Sequence, residues 1–304
     1  MIPRRALPIA LAALLLPPPD AKSPAAAAAV RVGVLVNHEA MTCGAAGTKE
    51  TVLCNVRVFA RAVATAANGS VDLLVFPEAY ALSVSPSKAG YWESLFDPSP
   101  SSPGRAANAC DSADPQTHPL QKQLSCLAAE HRVALAYNLF ASRNGSNRIT
   151  EVVVDSGGGL LATYDKVHLF PVVEAMDGAV AGTNAPRSFE LLGRRWGIII
   201  CYEGVFPFVP GGNWAQMDGL AAQNATSWIW SIGSMVSVDA TAKAFARKYG
   251  VRVAATQDKS LNGVVGQLIC GGGAAQDCAY LDSPLWDLPG GYTATPFVRS
   301  AVLD

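Results

Sequence analysis

Three residues of reactive type follow apolar stretches in this chain of 304 residues. Glu78 comes after Val71 to Phe76 (VDLLVF) through a single proline, Lys166 after LLATY through Asp165, and Cys201 directly after WGIII. Short apolar, β-branched runs of this kind predict buried strands. A residue just past such a strand is held rigidly while facing the loops, which is where α/β sheets bind ligands. A thiol, a carboxylate and an ammonium brought together there form a nucleophile, a proton acceptor and a cation for a developing oxyanion. Taken singly, each has an ordinary reading: a surface carboxylate, a solvated strand-end charge, a buried structural thiol. The other nucleophile patterns find no support. The histidines His38, His118, His131 and His168 are scattered, and no Gly-x-Ser-x-Gly elbow or glycine-rich phosphate loop occurs.

The elements that must position these residues read as strands alternating with helices. Arg31 to Asn37 predicts a strand, Thr51 to Ala67 a helix and Val71 to Phe76 a strand, one β-α-β unit. Residues 83 to 118, rich in Ser, Pro, Asp and Gly, read as a long loop that would overhang a site. A helix at Pro119 to His131 and a strand at Val133 to Leu139 come next. Strands at Thr150 to Asp155 and Gly159 to Tyr164 follow, split by a turn at Ser156-Gly157-Gly158. Further strands are expected at Ser188 to Leu192, Trp196 to Ile200 and Asp218 to Gln223, then a helix at Ser237 to Tyr249, a strand at Val251 to Thr256 and a hairpin-like end. The pattern predicts one α/β domain with helices covering a mixed sheet. Tyr80, Tyr91, Trp92, Trp214 and Trp228 are candidate aromatic neighbours for a substrate's acyl chain.

Composition bounds the function. With 23 basic and 24 acidic residues the formal charge is -1, which offers nothing to a polyanion, so nucleic acid is not an expected partner. Arg4 and Arg5 precede an apolar stretch from Ala6 to Leu16 and then a proline run, the order of a secretory signal peptide with cleavage between residues 21 and 29. That stretch is shorter than the ~20 residues a membrane span requires, and no transmembrane segment is expected. In that compartment Asn68, Asn144 and Asn224 head glycosylation sequons. The seven cysteines would then pair with one left over. Proximity in sequence proposes Cys43 with Cys54, Cys110 with Cys126 and Cys270 with Cys278, leaving Cys201 free, although sequence alone does not fix connectivity. No Cys or His spacing predicts a metal site.

Phe76-Pro77-Glu78, Tyr164 to Phe170 (YDKVHLF) and Gly197 to Glu203 (GIIICYE) resemble, in order and spacing, the three signature segments of the nitrilase superfamily of carbon-nitrogen hydrolases. Gln123 to Ala128, Val133 to Asn138, Glu151 to Ser156 and Lys166 to Phe170 look like the secreted biotinidase and vanin (pantetheinase) branch. The segment Glu203 to Pro207 is nearer to bacterial amidases and apolipoprotein N-acyltransferases, the loop Phe208 to Met217 looks abbreviated, and residues 30–304 leave no room for that branch's separate carboxyl-terminal β domain. The resemblance implies a nitrilase-like four-layer α-β-β-α sandwich. It implies a Glu-Lys-Cys triad hydrolysing a linear amide without cofactor: Cys201 as nucleophile, Glu78 as general base and acid, and Lys166 with the Tyr202 backbone N-H as oxyanion donors. Glu174, eight residues after Lys166, is the candidate second glutamate. Pantetheine-like or biotinyl amides are the favoured substrates, with a homodimer as candidate assembly. Alternatives are an N-acyltransferase of the same fold and a non-catalytic secreted binding glycoprotein.

Overall fold

Thr48 opens the first long helix: its hydroxyl accepts the Thr51 N-H at 3.1 Å, and α1 (Lys49–Asn68) lays Val52, Val56, Phe59, Val63 and Ala66 on one buried face. That face covers the sheet that begins with β1 (Val30–Val36) and β2 (Leu73–Val75). The computed structural model describes residues 30–36, 47–79, 90–97, 107–183, 185–233, 235 and 238–257, and the backbone of 268–270, 278–280 and 297–303. The proposed leader, 1–29, lies outside the described residues.

The first sheet continues through β3 (Glu93–Ser94), β4 (Ala134–Arg143), β5 (Ser146–Val154) and β6 (Leu160–Asp165), and the last strand, β13 (Phe297–Leu303), returns to pair with β1. Its order is β13-β1-β2-β4-β5-β6, with β3 beside β4. β1, β2 and β4 are parallel, whereas β4, β5 and β6 reverse twice, so β6 points the same way as β2. The second sheet has the order β12-β11-β10-β9-β8-β7. It comprises β7 (Ser188–Leu191), β8 (Arg194–Ile200), β9 (Ser227–Ile232), β10 (Arg252–Gln257), β11 (Leu268–Cys270) and β12 (Cys278–Tyr280). β8, β9 and β10 are parallel and read as continuous apolar runs, as strands covered on both faces must.

Alternation along β4 shows the layering. Leu135, Tyr137, Leu139 and Ala141 join the core beneath α1 and α3 (Pro119–His131), while Ala134, Ala136 and Phe140 join a core shared with the second sheet. The Thr256 hydroxyl of β10 donates to the Leu35 carbonyl of β1 at 2.7 Å, tying sheet to sheet. On the far side, α7 (Val238–Tyr249) buries Phe245 against Trp214, Trp228 and Trp230. Helices outside two facing sheets make the four-layer α-β-β-α sandwich that the motifs imply. No helix among the described residues is long and apolar enough to cross a membrane.

Several expectations change. Asp218 to Gln223 is not a strand: it lies in and just after α6 (Ala215–Ala222). Asn213 accepts the Ala215 N-H at 3.0 Å at its start, and Gln216, Met217 and Leu220 are buried at helical spacing. The strand there is Ser227 to Ile232, which lacks polar alternation because every residue is buried. β4 and β5 extend to a hairpin at Asn144-Gly145, both at positive φ (50° and 74°), the conformation that dipeptide favours. Within 83–118, the described residues include β3 and a short helix, α2 (Ala109–Ser112), and in segment 91–97 Tyr91 and Leu95 join the core beneath α1 while Trp92 packs on the core between the sheets. Trp228 and Trp214 serve the α7 core, and Tyr91 donates to Glu93. Trp92 packs edge-on against Phe140, and Tyr80 lies outside the described residues.

The Cys110–Cys126 disulfide joins α2 to α3 as expected. Cys54 is also disulfide-bonded, while Cys43 lies outside the described residues. Cys270 and Cys278 face each other in the β11–β12 register, their side chains outside the described residues.

Helix α3 has no side-chain cap of its own. Glu93, 1% exposed, supplies one from β3. Its carboxylate accepts the Leu120 and Gln121 N-H groups at 2.8 and 2.9 Å, the Gln121 side chain at 3.0 Å and the Tyr91 hydroxyl at 3.1 Å. Glu93→Ala leaves these donors unpaired in a buried place and is expected to cost about 2–3 kcal/mol. A lower urea midpoint with unchanged slope would report it, with Glu93→Gln losing less.

Candidate active site

β2, β6, β8 and β9 all deliver their carboxyl ends to one edge of the two-sheet stack, and that edge collects the residues singled out by type. Lys166, one residue past β6, is 0% exposed, yet its ammonium donates to Glu78 Oε1 at 2.7 Å and to Glu174 Oε1 at 2.5 Å. Glu78 and Glu174 are 1% and 2% exposed. A cation so deep is stable only between its counter-charges. Burial alone would lower the Lys166 pKa; the negative charges of Glu78 and Glu174 more than offset it and hold the pKa raised, so the group stays an ammonium.

Glu78 is fixed from the opposite sheet. Its Oε2 accepts the Gly233 N-H at 3.1 Å, just past β9, and its own N-H meets the Ile232 carbonyl. Cys201, 5% exposed, is the free cysteine among the described residues. It sits where β8 breaks into α5 (Tyr202–Val205), with φ 42° and ψ -111°. An L-residue there carries strain of order 1–3 kcal/mol, held only where the surroundings over-determine it. Here the Cys201 N-H donates to the Ser231 carbonyl at 2.8 Å, and its carbonyl accepts from Gly204 N-H and Trp230 Nε1, each at 3.0 Å. Gly204 permits this closeness, because a Cβ there would lie 2.3 Å from the Trp230 ring. Burial first, then the charge of Glu78, pushes the thiol well above its usual range, while Lys166 pulls it back. The thiol is protonated at neutral pH and needs a base in order to attack. Tyr202 is the first residue of α5, so its N-H has no acceptor within the helix and is free for an oxyanion.

Glu174 reaches Lys166 from α4 (Val173–Met176). The preceding Val172 adopts φ 71° and ψ -58°, and the Val173 N-H closes a γ-turn onto the Pro171 carbonyl at 2.9 Å. The same carboxylate accepts the Phe170 N-H at 2.8 Å. His168 stacks on Phe206 at 3.9 Å between ring centroids, and Phe170 and Tyr202 meet edge to face at 5.5 Å, placing an aromatic rim next to Cys201 in the chain.

The sequence reading passed over Glu203, which is fully buried two residues after the thiol. Its Oε1 accepts the Tyr164 hydroxyl at 2.8 Å and the Val167 and His168 N-H groups at 2.7 and 3.3 Å. Its Oε2 accepts the Ile200 N-H at 2.8 Å and Gln216 Nε2 at 3.1 Å. One carboxylate therefore grips both the segment carrying Lys166 and the strand end carrying Cys201. The signal was present: a charged residue inside an otherwise apolar motif. Among the described residues, no cluster of three or more His, Cys, Asp or Glu side chains could hold a metal ion.

A family model described as carbon-nitrogen hydrolase matches residues 40–210. Among solved structures, an amidase from Nesterenkonia sp. superposes with a TM-score of 0.62 at 19% identity, covering 90% of each chain. A double mutant of the amidase from Nesterenkonia sp. AN1 in complex with acrylamide gives 0.62 at 18% identity, again over 90% of each chain. A further mutant of that amidase, showing covalent addition of the acetamide moiety of fluoroacetamide at the active-site cysteine, gives 0.61 at 18% identity over 90% of each. At such identities the likeness shows a shared fold. No curated protein matches the sequence.

Glu203→Ala would leave the part-buried backbone donors of Val167 and His168 and the buried donors of Ile200 and the Tyr164 hydroxyl without their acceptor. The expected cost is about 3–5 kcal/mol, read by chemical denaturation. In whatever fraction folds, alkylation of Cys201 by iodoacetamide should lose its wild-type rate.

Proposed function

This chain belongs to the carbon-nitrogen hydrolase family, matched over residues 40–210, and on that footing we propose that it is an amidase working through a Cys201 thioester. The observation that carries the reading is the buried ammonium of Lys166, held by Glu78 at 2.7 Å and by Glu174 at 2.5 Å beside a strained free thiol.

Glu78 takes the Sγ proton as sulfur attacks the amide carbonyl carbon, and the carbonyl π pair moves onto oxygen. Lys166 and the Tyr202 N-H then hold the oxyanion. As the tetrahedral species collapses the C–N bond breaks, and Glu78 returns the proton to the departing nitrogen. Water then attacks the thioester with Glu78 again as base, and the carboxylic acid leaves as Cys201 regains its proton. Lys166 stays charged throughout, so it stabilises negative charge without giving up a proton.

A linear carboxamide is the substrate class we infer, with pantetheine-like and biotinyl amides as the favoured members, on the motif resemblance to the biotinidase and vanin branch. Secretion is part of the same reading. Residues 1–29 have the order of a signal peptide, Asn68, Asn144 and Asn224 are all exposed, and Cys110–Cys126 is a disulfide.

The direct experiment is amine or ammonia release from pantetheine, biotinyl-lysine and butyramide by purified protein, beside Cys201→Ala. Hydrolysis of any one, abolished in the variant, supports the amidase. Inertness toward every amide tested, with Cys201 free and alkylatable, would overturn it in favour of acyl transfer or binding.

The pH dependence is a second expectation. Burial first, then the charge of Glu78, pushes Glu174 up to about 7, with Lys166 pulling it back. Below that pH Glu174 is neutral, and the Lys166 ammonium is paired with Glu78 alone. Wild-type kcat/KM should therefore fall as pH drops through 7, whereas Glu174→Gln should be slow at every pH with no inflection there.

A further inference from the structure

Behind the site lies a carboxyl to which the chemistry above gives no part. Glu151, on β5, is 0% exposed and projects with Ile149 and Val153 into the layer between the sheets. A buried carboxyl in such a layer costs stability relative to an apolar side chain of similar volume. Both of its hydrogen bonds lead to the site. Its Oε2 accepts from Asn138 Nδ2 at 3.0 Å, and the Asn138 Oδ1 in turn accepts the N-H of Ala79, the residue after Glu78, at 3.0 Å. Its Oε1 accepts from the Ser231 hydroxyl at 2.9 Å, and the Ser231 carbonyl accepts the Cys201 N-H at 2.8 Å. Asn138 and Glu151 are register partners on β4 and β5, as Ser231 and Ile200 are on β9 and β8. The chain of bonds thus runs from the general-base segment of one sheet to the nucleophile segment of the other.

We propose that Glu151 is a positioning residue for the amide hydrolysis inferred above: its carboxyl spans the two sheets through Asn138 and Ser231 and fixes the backbone of Glu78 relative to that of Cys201. The inference rests on the amidase reading for its reaction, although not for its geometry. The titratable groups around Glu151 are Glu78 past β2, Glu203 on α5 and Tyr137 on β4. Burial first, with Glu78 and Glu203 adding to it, pushes its carboxyl up to about 8 against the pull of the Asn138 and Ser231 hydrogen bonds. At neutral pH it is therefore an uncharged bridge, its carboxyl O–H then donating to the Ser231 hydroxyl oxygen while Asn138 occupies the other oxygen, and it adds no second anion behind Glu78. Its folded pKa lies above the ordinary value of 4.5. The associated stability is thus fully present at low pH and is lost as pH rises to about 8.

The test compares wild type with Glu151→Gln, Glu151→Leu and Ser231→Ala. It reads kcat and KM on whichever amide the wild type hydrolyses, the pH dependence of Cys201 alkylation by iodoacetamide, and stability from pH 5 to 9. Glu151→Leu should lower kcat between about tenfold and about a hundredfold with little change in KM. Ser231→Ala should act in the same direction severalfold, and Glu151→Gln should retain most of the rate while flattening the fall of stability with pH. If Glu151→Leu does not fold, Ser231→Ala and Glu151→Gln carry the test. Folded variants that keep wild-type kcat and alkylation rates, differing only in stability, would reduce Glu151 to packing and overturn the proposal. A wild type inert on amides, whose Cys201 alkylation still slows in Glu151→Leu and Ser231→Ala, would sink the amidase reading while supporting the bridge. Normal turnover in every variant would do the reverse.

Discussion

A lysine ammonium taken wholly out of water governs this structure. Hydration lost at Lys166 must be replaced by fixed charge and fixed dipoles, and the replacements come from three separate parts of the chain: Glu78 after β2, Glu174 on α4, and the backbone that keeps each in place. Burial first, and then the excess of negative charge that two carboxylates around one cation leave, explains why Glu174 holds a proton so readily and why the neighbouring thiol resists ionisation. The same electrostatics that make Lys166 permanent make Cys201 dependent on Glu78. Cys201, Glu78 and Lys166 are thus three parts of one charge balance.

Such a balance holds only if the two sheets are locked together, and the lock is polar. Between layers of Val, Ile, Leu and Trp the sheets exchange few hydrogen bonds, and those they exchange converge on the active edge. Glu203 binds the Lys166 segment to the Cys201 strand, Glu151 reaches Ser231, and Gly233 reaches Glu78. Apolar contact sets the distance between layers but tolerates sliding, whereas a carboxylate saturated by several N-H groups fixes direction. The strain at Cys201 and at Val172 persists within this frame.

The clustering of Glu78, Lys166 and Cys201 was legible because a charged or thiol residue at or just past the end of an apolar run leaves a local mark. The helix at Pro119 to His131 was legible for a similar reason, with proline at its start and apolar residues at helical spacing. The second sheet was harder. Fully buried parallel strands lose the alternation that announces them, so SWIWSI passed unnoticed while the short helix beside it, with its central glycine, was read as a strand. Sequence gives no side to a tryptophan: packing was the better reading for Trp228 and Trp214, but that they pack against α7 shows only in the fold. Glu203 left a visible mark, a charge inside an apolar motif, but its role as an anchor and that of Glu151 depend on partners as far as 39 and 80 residues away.

The first sheet is completed by its last strand: β13 lies antiparallel along β1, pairing Val30 with Leu303 and Val36 with Phe297. Every other neighbour in that sheet is available once residue 165 has emerged from the ribosome, so β1 must wait with one edge bare through the synthesis of the entire second sheet. An unpaired, apolar β1 edge is a template for another chain. The folding hazard of this molecule therefore persists until residues 297–303 have been made, and loss of that segment would act on solubility from a point remote from the thiol.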